Sequence, residues 1–170
     1  MKKIFTLSAI LSLSILFYSC GDDKPDNLPV SLTANAEKSF RIIASAGSET
    51  SLETTFTLDD FDAIEEFKRY VESGQINTSS YIEVNGVSGG IELVNLKLSM
   101  TRDPSKVYNF RGPIQDEKFQ TITELNFLQN IINELADRGS STIKLDYKAN
   151  TDVTAPVLVT LYLNSKFLFD

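Results

Sequence analysis

The segment IKLDYKANTDVTAPVLVTLYL, residues 143–163, decides the fold. Ile143, Leu145 and Tyr147 alternate with Lys144, Asp146 and Lys148. After a polar turn at Asn150-Thr151-Asp152, the alternation resumes with Val157, Val159, Leu161 and Leu163. Successive side chains of a strand point to opposite faces, so a two-residue apolar period predicts strands with one face buried. Such half-buried strands pair mostly antiparallel.

The same period recurs upstream. Residues 39–44 and 51–58 read as strands, the second with Leu52, Thr54, Phe56 and Leu58 on one face, and Gly47-Ser48 supplies the turn between them. Residues 30–33 add a short leading strand. Residues 81–84 and 91–100 read as the next pair, joined by a hairpin loop around Gly86 to Gly90. In the second of these, Ile91 and Leu93 have one parity, while Leu96, Leu98 and Met100 have the other. A bulge near Val94-Asn95 reconciles them, as does burial on both faces. Residues 107–110 form a further strand, and residues 111–120 carry no clear pattern.

Two stretches switch to helical spacing. In 59–73, Phe61, Ile64, Phe67 and Val71 share a face, Asp59 or Asp60 caps the start and Gly74 ends it. In 122–137, Leu125, Leu128, Ile132 and Leu135 make the stripe, Thr121 and Glu124 have capping-box spacing, and Gly139 closes it. The expected architecture is mainly β, of α+β type: an antiparallel β-sandwich-like domain with two amphipathic helices across an end or one face. A single antiparallel sheet with both helices on one face is the alternative. The order strand, helix ending in glycine, strand, strand occurs twice and suggests a βαββ duplication.

Composition limits the function. The chain has 170 residues, with 16 basic and 23 acidic side chains and a formal charge of −7. This balance argues against nucleic acid, whose phosphates demand a basic footprint. There is no histidine and no tryptophan. Lack of histidine removes Ser-His-Asp and Cys-His catalysis and His-based zinc sites. Asp59, Asp60, Asp62 and Glu65 form the densest acidic cluster, but they sit where a helix start favours acids, so capping is preferred to calcium. Gly86-Val87-Ser88-Gly89-Gly90 lacks the lysine and helix of a phosphate loop. No cofactor and no metal is expected.

The N-terminus speaks to location. Met1-Lys2-Lys3 is basic, and residues 4–17 are uncharged and mostly apolar. As a helix that run rises about 21 Å, short of a hydrocarbon core of about 30 Å, and it suits the apolar region of a signal peptide. Phe17-Tyr18-Ser19 then precedes Cys20, the single cysteine. Residues 1–20 resemble the signal of bacterial lipoproteins, with Ser19 in the small position before the cysteine and Phe17 and Tyr18 departing from the usual Leu and small residue. The resemblance implies cleavage after Ser19 and acyl chains on Cys20. Loss of residues 1–19 takes away Lys2 and Lys3 and no acid, so the exported chain is more acidic still. Residues 20–28, polar and marked by Pro25, read as the lipidated cysteine and a flexible tether, and 29–170 as one domain. Acids directly after Cys20 resemble surface-export signals, which favours the outer face of the outer membrane over its periplasmic side.

These readings converge on a lipid-anchored cell-envelope binding or structural module that is not an enzyme. The membrane is the expected partner through Cys20, and a protein or glycan at the cell surface is the expected class of ligand, its identity not given by the sequence. Arg102, Tyr108 and Arg111 fall in expected loops and combine cationic and aromatic groups, so they form the candidate binding loop. A carrier of an apolar ligand at the periplasmic face is the first alternative, and a hydrolase built on carboxylates alone is the second.

Overall fold

One long strand organises the chain. In the computed structural model, which describes residues 24–170, β9 (Val153–Phe169) is the axis of a five-stranded antiparallel sheet. Along one edge it pairs with β1 (Ser31–Ala44) from Ser31–Leu168 to Ala44–Val153. Its other edge carries two strands end to end: β4 (Tyr81–Asn85) against Leu158–Tyr162, and β3 (Val71–Ile76) against Ser165–Phe169. β7 (Glu117–Phe119) pairs with β4 at the far side. Pro156 falls where the β1–β9 ladder shifts register, the place where a missing N–H is tolerated.

The second sheet has the order β2-β8-β5-β6, all antiparallel, built from β2 (Glu49–Thr57), β5 (Leu93–Met100), β6 (Val107–Asn109) and β8 (Ser140–Ala149). The two strands of the segment 143–163 therefore never pair with each other. The turn between them carries the chain from one sheet to the other. The same holds for the turn after β1 and for residues 86–92, so the expected hairpin loop at Gly86 is a crossing between sheets.

Alternation sets the core. Ile143, Leu145 and Tyr147 of β8 face Val157, Val159, Leu161, Leu163 and Phe167 of β9 across a single buried cluster. Between the sheets lies α1 (Ile122–Arg138), with Phe127, Leu128, Ile131, Ile132 and Leu135 buried and neighbours in β3, β4, β6 and β8. Its capping box is present as expected: the Thr121 backbone N–H donates to Glu124 at 2.7 Å, and Gly139 closes the helix at φ 76°.

Several elements differ from their sequence reading. Residues 59–73 are not one α-helix. A 3-10 turn, Leu58–Asp60, is followed by a 3-10 segment, Asp62–Tyr70. Phe61, Ile64, Phe67 and Tyr70 recur every third residue, and a three-residue turn stacks them on one face. Phe61 meets Phe167 edge to face at 5.0 Å, and Phe67 meets Phe169 at 5.9 Å. The cap is Thr57, whose N–H donates to Asp60 at 2.7 Å. Gly74 does not end a helix; it lies inside β3, opposite Phe167. It is therefore not the counterpart of Gly139, and the apparent repeat loses the feature that defined it. The bulge in β5 is present, with the register shifting between Val94 and Lys97 and Asn95 at φ 56°.

Candidate functional site

The outward face of the second sheet is polar. Lys144 and Asp146 of β8 point away from the core between Ser51 of β2 and Lys97 of β5. Asp146 accepts from Lys144 at 2.9 Å, from Lys97 at 3.3 Å and from the Ser51 hydroxyl. Partial burial pushes its carboxyl up, but these donors outweigh burial and hold it below the ordinary carboxylate value. With Asn95, Asn109 and Phe110, these residues border an open trough of about 660 Å³. Donors and acceptors of both signs are thus fixed side by side on strands and open to water. The signal for this surface lay in the alternation: the polar residues between Ile143, Leu145 and Tyr147 had to face outward together.

The three residues of the expected binding loop do not converge. Tyr108 is buried, packed on Phe110 at 4.9 Å and near Phe119 and Phe127, with its hydroxyl facing Glu124. Burial and the Glu124 carboxylate push its ionisation well above the ordinary tyrosine value. Arg111 is exposed and, among the described residues, has no ion-pair partner; it borders an opening of about 460 Å³ with Tyr108, Glu117 and Glu124. Arg102 lines a separate opening and approaches Glu134 of α1 at 3.6 Å. Glu134 also accepts from Ser141 at 2.6 Å, which ties α1 to β8.

Two of the four acids of the cluster, Asp59 and Asp60, are spent on structure. Asp59 pairs with Lys68, and Asp60 pairs with Lys38 at 2.7 Å while capping through Thr57. Among the described residues no group of three or more potential metal ligands comes together. Cys20 lies outside the described residues.

The three sheet-crossing turns just described meet at one end of the sandwich and are tied to one another. Gly47 donates to the Ala149 carbonyl at 2.7 Å, Ala46 to Asp152 at 2.8 Å, Asn150 to the Glu92 carbonyl at 2.9 Å and Glu92 to Thr151 at 2.8 Å. The chain enters at the opposite end. There Lys24 pairs with Asp170 at 2.9 Å, Leu28 donates to the Pro25 carbonyl at 3.0 Å, and Phe169 donates to the Val30 carbonyl at 3.3 Å. Residues 24–28 thus lie against the domain.

Fold and surface define the class: an antiparallel β-sandwich domain of mainly-β, α+β type, with a helix between its sheets and a polar trough on one face. No protein-family model and no curated protein matches the chain.

Proposed function

We propose that this protein is a lipid-anchored module of the bacterial cell envelope, without catalysis, that holds a polar ligand on its outer sheet. The observation that carries the reading is the sequence of residues 1–20: a basic start, an uncharged apolar run, Ser19 and the single Cys20. Several acyl chains on one cysteine hold a protein stably on a membrane. The acidic net charge favours protein or glycan ligands over nucleic acid. The space between the sheets is taken up by α1 and the inward side chains of both sheets, which favours ligand binding at the surface over carriage of an apolar molecule within. Outer-membrane attachment, facing outward, fits the acids Asp22 and Asp23 that follow Cys20.

The test is metabolic labelling of intact cells with an alkyne fatty acid, followed by protease treatment. Wild type takes up the label and its domain is cut in intact cells. Cys20→Ser takes up none and is released or lost. A wild-type chain that carries no label overturns the anchor, and one cut only after the outer membrane is opened overturns the outward orientation.

A further inference from the structure

The anchoring reading has a geometric consequence for the domain, and the following rests on that reading. Cys20 and Lys24 are four residues apart. A fully extended chain of that length spans at most about 14 Å. Lys24 is fastened to Asp170, Asp170 donates its N–H to the Tyr70 carbonyl at 3.1 Å, and Val30 is bonded to Phe169. The end of the sandwich formed by the start of β1, the start of β3 and the close of β9 is therefore leashed close to the acyl chains.

The chemistry of this end matches such a position. Val30 is 83% exposed and Leu168 38%, two of the few large apolar side chains open to water. Tyr70, whose carbonyl accepts from the Asp170 N–H, is at the same end, but its half-buried ring packs on the core. Lys24 and Arg69 stand at the same end with Asp170, so it carries cations beside its acid although the chain as a whole is acidic. Mixed charge around exposed apolar side chains suits zwitterionic headgroups, where no strong anionic surface repels the domain.

We propose that this end of the sandwich rests on the lipid surface through Val30 and Leu168, so that the strands stand away from the membrane and the three tied turns face outward. β1 has 14 residues, and at about 3.3 Å per residue the turns stand about 45 Å above the seated end. The occupant of the apolar end is the headgroup layer itself.

The test uses the full acylated chain. Acylation consumes the Cys20 sulfur, so Val30→Cys, Leu168→Cys and Ala46→Cys each offer one thiol for an environment-sensitive fluorophore. The labelled proteins are placed in vesicles of phosphatidylcholine and phosphatidylethanolamine that carry a nitroxide on the headgroup. Quenching several-fold stronger at positions 30 and 168 than at position 46 is the expected result. Equal quenching at all three positions, in protein whose intact mass shows the acyl chains, overturns the seated orientation and leaves the anchor standing. An intact mass without acyl chains overturns the anchor and this inference with it.

Discussion

Gly74 shows how one side chain's absence sets a packing distance. A Cβ built there lies 2.5 Å from Ile132 Cγ2 of α1 and 3.2 Å from Phe167 Cδ1 of β9. Both neighbours belong to the core, and Ile132 is held by its helix, so neither has open space to move into. Overpacking of a filled core costs about 1–3 kcal/mol. Gly74→Ala is expected to lower unfolding stability by that amount in a urea titration, with the slope unchanged. The glycine was visible in the sequence, but its role was not. A glycine after an apolar stripe reads as a helix stop, and only the approach of α1 makes it a strand residue.

At the scale of elements, α1 does more than fill space. β3 is the edge of its sheet, and its outward backbone groups have no strand partner. The side-chain amide of Gln129 supplies one: it accepts from the Ile76 N–H at 2.8 Å and donates to the Gly74 carbonyl at 2.9 Å. This pairing satisfies an edge that would otherwise invite another chain. Gln129→Ala leaves both groups unpaired where they are part-buried, at a cost of about 1–3 kcal/mol. Amide exchange at Ile76 should accelerate more than exchange in β8, and equal protection of the two in the variant would contradict this role. Strands with strong alternation, such as β8 and the middle of β9, were legible from sequence, as were α1 with both caps and the bulge in β5. β3 was hidden because Val71-Glu72-Ser73-Gly74 has no period of its own and borrows its order from β9 and α1. The middle of β1 was hidden because its inward residues are Ala34 and Ala36, too small to mark a face, followed by Lys38. That lysine is inward by parity yet reaches Asp60, an inward charge of the kind that protects an edge strand. The site was legible only in part. The polar parity of β8 is visible in the sequence, whereas its junction with Lys97 and Ser51 depends on sheet order, which no local pattern encodes.

For the molecule as a whole, three carboxylates withdrawn from full exposure link stability to pH. Burial raises Asp60, Glu124 and Asp146, but in each the hydrogen bonds prevail: Lys38 and Thr57 on Asp60, Thr121 on Glu124, and Ser51 and the two lysines on Asp146. All three are held below their ordinary values. The fold thus favours their charged forms. That stabilisation is complete above the unfolded-state values near about 4 and is lost as pH falls through the lower folded values. Thermal melts between pH 6 and pH 2 should show the midpoint falling with acid. Asp146→Asn should start lower at pH 6 and fall less steeply, and parallel profiles would remove Asp146 from the linkage. The position of β9 also governs timing. β1, β3 and β4 all pair with this one strand, and β1 comes more than a hundred residues before it. Closing such loops is slow, and no local contact can substitute. A chain delivered amino end first has no partner for β1 until residues 153–169 arrive, so the five-stranded sheet cannot assemble on a half-delivered chain. Until residues 153–169 have been made, β1 and β3 lack the one strand with which each of them pairs.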